Sequence, residues 1–299
     1  MRPSNSVALL LASLAHSILA SANVENVLVP GGYRAKANIH AIPARGSLVL
    51  VGNEIHVLAA NGTIMDKVPS RHDTPARGKP GQLPLTPRTQ TGPIAYAYWA
   101  NAPCAWPISS FATTWEVPPV PETNNGQTLF LYNHIEPNLE AEVLQAVLQY
   151  GASAAGGGSF WSVSILYSRG LEVFATPSFP VNPGVTLNGN ITLTGPVDPT
   201  SATFNYTAQF TNIPGASMDV VDASRLTFAT MTLEARNIAV LSDYPSGTTV
   251  FSDINLELAN GTTPNVKWTP VNDFFDGPGF PTTHIDRDGA ADGQITIVY

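Results

Sequence analysis

One cysteine is all that the 299 residues contain, so no disulfide can close within the chain and a buried core must hold the fold. Cys104 lies in 101-NAPCAWP-107 with no charged neighbour to favour a thiolate, which reads as an inert thiol. Charge is scarce too: charged residues make up 12% of the chain and the net charge is −8. So acidic a body repels a phosphate backbone, and nucleic acid is excluded as a partner. Beyond the N-terminus no stretch approaches the ~18–20 continuous apolar residues of a membrane-spanning helix, and no long amphipathic helical repeat interrupts the chain. Serine nucleophile elbow, phosphate loop and zinc motif are all missing. The histidines, His56 and His284 among them, are scattered without ligand spacing. No metal and no cofactor is therefore expected.

What the chain does have begins with an address. Arg2 precedes the apolar run 7-VALLLASLAHSILA-20, and Ala20-Ser21-Ala22 supplies a small-x-small cleavage site. Residues 1–22 read as a secretory signal, so the expected mature protein is extracellular, free of the membrane and monomeric. Asn-x-Ser/Thr sequons at Asn61, Asn190, Asn205 and Asn260 agree with that route and are the expected glycosylation sites. The roughly 275 residues that remain are enough for one large β domain or two small ones.

Charge is unevenly distributed along that remainder. Residues 23–90 hold eight Lys/Arg against four acids, whereas the chain from residue 91 onward holds five against eighteen. A basic leader on an acidic body fits an electrostatic clamp released as carboxylates protonate, and it fits equally a basic linker with no such role. Residues 48–51 and 55–58 are short β-rich runs joined by Gly52-Asn53-Glu54, a hairpin signal, and 61-NGT-63 is the next turn. The stretch 68-VPSRHDTPARGKPGQLPLTPRTQTG-92 lacks apolar periodicity and reads as a linker open to processing. The expected organisation is signal 1–22, β-rich leader or prosegment 23–67, linker 68–92 and body 93–299.

In the body, strand signals follow one another: 109-SSFATTWEV-117, 128-TLFLYNHI-135, 160-FWSVSILY-167, 189-GNITLTG-195, 201-SATFNYTAQF-210, 226-LTFATMTLEA-235, 248-TTVFSDINLEL-258 and 294-QITIVY-299. They are rich in Thr, β-branched and aromatic residues and are bounded by Pro, Gly, Asn or Asp. The predicted fold is all-β, a two-sheet antiparallel sandwich or jelly roll with an N-terminal β-hairpin leader. The run 142-EVLQAVLQYG-151 carries both helical and alternating spacing, but Pro137 before it and Gly151 at its end favour a strand. As a strand it turns Leu144, Ala146, Leu148 and Tyr150 to the core and Gln145 and Gln149 to the other face.

The run 226–235 repeats the logic, with Ala229, Met231, Leu233 and Ala235 on one face and Thr230, Thr232, Glu234 and then Arg236 on the other. Arg236 next to Glu234 favours an ionised carboxylate or makes a plain surface pair. His134 and Glu136 read as polar loop residues, although on one face they could form an acid–base pair or bind a metal. Asp253, Asn255 and Glu257 in 252-SDINLEL-258 suggest glycan chemistry, but two carboxyls four strand residues apart are roughly 13 Å distant, too far for retaining hydrolysis without another strand.

Together, 110-SFATTWEVPPVP-121, 143-VLQAVLQYG-151, the Trp161 strand, the Glu-bearing strand and the terminal 294-QITIVY-299 resemble the eqolisins, the secreted fungal glutamic peptidases, over roughly residues 93–299. The most specific piece is V-L-Q-A-V-L-Q-Y, which is similar to the family's I-L-Q-x-G-V-x-F strand and puts Gln145 at its catalytic glutamine. The resemblance implies a concanavalin A-like sandwich and an acid endopeptidase with a Gln145/Glu234 dyad. The Glu would serve as general base and then acid, and the Gln would position water and bind the oxyanion. Trp161, Gln149, Thr230 and Thr232 would line the substrate cleft. An ungapped register instead puts Thr230 at the family's glutamate, and only a shifted one selects Glu234. The other reading is a non-catalytic lectin-like or structural sandwich, so the expected ligand is a polypeptide or a glycan.

Overall fold

The structure, a computed structural model, describes residues 25–70, 90–102, 105–137, 142–196, 200–272 and 280–299. The expected signal segment, the centre of the expected linker and Cys104 lie outside these residues. Among the described residues, two large sheets account for nearly every strand and no helix is long and apolar enough to cross a membrane. The fold is an all-β sandwich, as the alternating runs require.

The first sheet runs Thr269–Asn272, Gln90–Ala100, Phe228–Ile238, Thr128–Glu136, Glu142–Ser153, Gly156–Arg169, Glu172–Ala175, Ile39–Ala41, with Phe179–Pro180 beside Gly156–Arg169. The second runs Thr282–Arg287, Gly293–Val298, Thr248–Leu258, Ile108–Glu116, Thr186–Gly195, Phe204–Phe210, Ser217–Ala223, Ser47–Val51, Glu54–Leu58, Ile64–Pro69. A separate hairpin pairs Asn26–Val29 with Gly32–Ala35. Strand pairing is antiparallel except at Ile39–Ala41 against Glu172–Ala175 and at Ser47–Val51 against Ser217–Ala223.

Period-two patterning explains how the sheets face each other. Leu144, Ala146, Leu148 and Tyr150 join Leu129, Leu131 and Ile135, Ala229, Met231 and Leu233, and Val163, Ile165 and Tyr167 in one core shared with Phe111, Trp115, Ile191, Tyr206, Phe251 and Ile297 of the opposite sheet. Burying each such aliphatic side chain is worth roughly 1.5–3 kcal/mol. The run 142–151 is thus a strand, with its even positions in the core. Thr128–Glu136 is buried at every position, so the centre of the first sheet is covered on both faces. A smaller cluster covers the outer face, where Leu28 and Val29 pack with Phe130, Tyr132, Val147, Leu166, Val173 and Ala175.

The leader is woven into both sheets. Its 48–51 and 55–58 runs form the expected hairpin, tightened to a two-residue turn at Gly52-Asn53 with Gly52 at φ +60°, where a side chain would be strained. Leu48, Ile55, Val57 and Val68 belong to the main core, as does Ile42.

Candidate functional site

Three neighbouring strands place polar side chains on the outer face of the first sheet, and their register sorts those side chains into rows. Gln145 is opposite His134, and His134 is opposite Thr230. One row along, Val147, Tyr132 and Thr232 are partners, and in the next Gln149 and Glu234 flank Phe130. Gln145 and Glu234 therefore share a face without sharing a row. They are four residues apart along the strands, about 13 Å, and two strand spacings apart across them, about 10 Å. The residue across the sheet from Gln145 is Thr230, the position that the ungapped register selects.

Glu234 is fully buried, at 0% exposure. Its Oε1 accepts from Arg236 Nη2 at 2.9 Å, and its Oε2 accepts from the Gly31 N–H at 2.8 Å and from the Tyr132 hydroxyl at 3.2 Å. Burial pushes its proton affinity above the ordinary carboxylate range, and the Arg236 charge followed by the Gly31 and Tyr132 donors only partly offsets this. Arg34, on the same leader hairpin as Gly31, is drawn below its usual value by burial and raised by the Glu234 charge. A carboxyl whose proton affinity is raised by burial in the folded chain is the more stable partner of that fold in acid, and the Gly31 N–H is the leader's hydrogen bond to it.

Gln149 is committed to its own hairpin. Its Nε2 donates to the carbonyls of Gly151 and Gly156 at 2.7 and 2.8 Å, and its Oε1 accepts from the Ser153 hydroxyl at 2.5 Å. Gly157 leaves room for this amide, since a Cβ there would meet Gln149 Nε2 at 2.3 Å. Trp161, expected to line the cleft, lies instead on the core side, 1% exposed, beside Tyr150 with its Nε1 donating to the Pro119 carbonyl. The reason is parity: Trp161 is opposite Tyr150, so the two share the core face, and it is Ser162 that is opposite Gln149. Thr230 and Thr232 lie on the expected face, their hydroxyls 2.9 Å apart, and Thr230 Oγ1 is 3.0 Å from His134 Nδ1.

His134 and Glu136, read from the sequence as loop residues, are buried strand residues on this same face, His134 Nε2 being 3.7 Å from Glu136 Oε2. On the next strand the row continues with Tyr98, which stacks on Phe228 with ring centroids 5.3 Å apart, then Thr269 beyond it, and Tyr96 is opposite Thr232. The alternation in 94-IAYAYWA-100 carried the signal for these tyrosines. Nothing in the sequence pattern marked Gly31. No group of three or more metal-ligating side chains occurs among the described residues. Of the sequons, Asn61 and Asn260 are exposed in turns whereas Asn190 and Asn205 are half-buried on strands of the second sheet.

No protein-family model matches the chain, and no curated protein does. Among solved structures it is similar to a scytalido-glutamic peptidase bound to a transition-state analogue inhibitor, at 11% identity over 69% of this chain and 98% of that one, with a TM-score of 0.46. A second structure, of a scytalido-glutamic peptidase with a peptide-based analogue, gives 13% identity, 70% and 100% coverage and a TM-score of 0.45. A third, SCP-B of the eqolisin family with the tripeptide Ala-Ile-His, gives 13%, 70% and 100%, and 0.43.

Proposed function

We propose that the protein is a secreted, peptidase-like hydrolase whose polypeptide-binding surface is the outer face of the first sheet, with Gln145 as its oxyanion donor. One observation carries the reading: that face already holds polypeptide. The leader hairpin 26–35 lies on it, seating Leu28 and Val29 among Phe130, Tyr132 and Val147, accepting the Ala154 N–H at the Leu28 carbonyl and donating the Gly31 N–H to Glu234. Backbone donors and apolar pockets for alternate side chains are what extended-peptide recognition uses. A polypeptide is therefore favoured over a glycan, and the resemblance of the Gln145 strand to the glutamic peptidases points to the same class.

In this reading Glu234 anchors the leader, because its carboxylate is taken by Arg236, Gly31 and Tyr132. The test replaces Gly31 with proline, which has no N–H to give and cannot adopt the φ of +85° found there. Purified wild-type and Gly31→Pro chains are incubated with denatured casein from pH 2 to 8. Greater cleavage by the variant, lost when Gln145→Ala is added, is expected. If neither chain cleaves at any pH although both are folded, the hydrolase reading fails.

A second reading is favoured by the saturation of Glu234. With its carboxylate fully satisfied and the leader strands part of both sheets, the sandwich would be a non-catalytic extracellular module. Folded, uncleaving wild type and Gly31→Pro chains, with the variant alone binding an extended peptide of sequence 26–35, would select it.

A further inference from the structure

We propose that Thr230, His134 and Glu136 form a hydroxyl–imidazole–carboxylate relay which, with Gln145, makes the row a nucleophilic acyl-transfer site for polypeptides bearing an aromatic side chain beside the cleaved bond. This rests on the reading that the outer face takes polypeptide, and it names the chemistry of that face.

The geometry has three parts. Thr230 Oγ1 is 3.0 Å from His134 Nδ1, within hydrogen-bond reach of a base. Glu136 is two residues along the same strand, its Oε2 3.7 Å from His134 Nε2, an electrostatic contact that favours the tautomer with its proton on Nε2 and its lone pair on Nδ1. Gln145 flanks His134 on the other side, so Thr230 and Gln145 stand on either side of the imidazole with their Cα atoms two strand spacings or about 10 Å apart. Thr232 Oγ1, 2.9 Å from Thr230 Oγ1, fixes the hydroxyl from its other side. All of these side chains sit on strands in the middle of a sheet, where geometry is rigid.

In the first step Thr230 Oγ1 bonds to the substrate carbonyl carbon while its proton passes to His134 Nδ1. The carbonyl oxygen gains the negative charge and accepts a hydrogen bond from Gln145 Nε2. The carbon–nitrogen bond then breaks and the departing amine takes the proton from His134, leaving an acyl ester on Thr230. Water attacks that ester, gives a proton to His134 and releases the acid, and Thr230 regains its proton. Glu136 is a positioning residue, since it acts through the imidazole. The stacked pair Tyr98 and Phe228, half-buried beside Thr230, is the shelf for an aromatic side chain of the substrate.

The relay needs a neutral imidazole, so its turnover rises with pH, whereas a carboxylic-acid dyad is favoured by acid. Among the described residues His134 is flanked by Thr230, Gln145, Tyr132 and Glu136, and the Glu234–Arg236 pair lies two rows along.

The experiment uses the full chain with p-nitrophenyl butyrate, quenched in acid and mapped by mass spectrometry, beside cleavage of a phenylalanine-containing peptide from pH 3 to 8. The expected result is one butyryl group on the fragment that carries Thr230. Cleavage should rise toward neutral pH and fall at least about 100-fold in Thr230→Val and His134→Gln. Thr230→Ser, which keeps a hydroxyl, should retain the adduct even if Thr230→Val fails to fold. Glu136→Gln should lower the rate and change the shape of the pH profile. Peptide cleavage that survives Thr230→Val, peaks in acid and is lost in Gln145→Ala would overturn the relay and leave the hydrolase standing. Absence of both adduct and cleavage in folded wild-type and Gly31→Pro chains would overturn both.

Discussion

Replacing Arg236 with glutamine tests the electrostatics of the outer face most directly. Glu234 is fully buried and its only cationic hydrogen-bond partner among the described residues is Arg236, itself largely buried at 14% exposure. Breaking a buried pair by removing one partner leaves a stranded charge, typically a loss of about 3–5 kcal/mol. Because the Gly31 N–H and the Tyr132 hydroxyl remain as donors, the low end, about 3 kcal/mol at pH 7, is expected. The loss should shrink on acidification. In the folded chain burial already raises the proton affinity of Glu234 above the ordinary carboxylate value, and losing Arg236 removes the largest opposing influence and raises it further. The folded state then binds more protons than the unfolded state between the ordinary range and the raised value. Stability from this group is complete below the ordinary range and is lost as pH rises through the raised one. Each pH unit below the raised value should recover about 1.4 kcal/mol until the ordinary carboxylate range is reached. Urea denaturation of wild type and Arg236→Gln at pH 7 and 4.5 measures this. A loss below about 1 kcal/mol at pH 7, or one that is the same at both pH values, would refute a charged Glu234 stranded in the interior.

Other outcomes follow from the same structure. Gly157→Ala should lower the melting temperature and loosen the 149–157 hairpin, since the new Cβ meets Gln149 Nε2 at 2.3 Å and φ is +97° there; an unchanged melt would show the amide moving freely. A chain starting at residue 90 loses Ile42, Leu48, Ile55, Val57 and Val68 from the core, at roughly 1.5–3 kcal/mol each, and should not fold, whereas a chain starting at residue 36 should; a cooperative melt from the shorter chain would contradict this. Trp161→Phe should reduce stability yet leave the KM for any peptide substrate unchanged, and a KM effect would put the indole in the cleft after all.

The sequence disclosed most of the architecture because its strands alternate cleanly. Residues 248–258 occupy their strand residue for residue, and 128–135 and 294–299 come within one residue of theirs. Strands such as 172–175, 217–223, 269–272 and 282–287 were not legible, for they are short or their patterns are broken by acids that face solvent. Within the site, alternation correctly put Gln145, Thr230, Thr232 and Glu234 on one face. Register was invisible, and register decides that Gln145 shares a row with Thr230 and not with Glu234. The strand 128–135 was legible, but the polar His134 and Glu136 at its end read as loop residues; Asn133 points inward and bonds across the sandwich to the Gly189 carbonyl, which leaves His134 on the outer face. Trp161 followed from analogy where alternation with Val163, Ile165 and Tyr167 on its own strand turns it inward.

The parallel pairing of Ser47–Val51 with Ser217–Ala223 also constrains when the molecule can finish itself. The first-made strands have to wait for a partner encoded some 170 residues later, which at ribosomal rates of about 5–20 residues per second is a delay on the order of 10–30 s. During that interval the 47–69 meander carries Leu48, Ile55 and Val57 with no opposing sheet to cover them. A nascent chain in that state is a client for whatever shields apolar segments during synthesis, and its closure is the late, long-range event that sets the pace of folding.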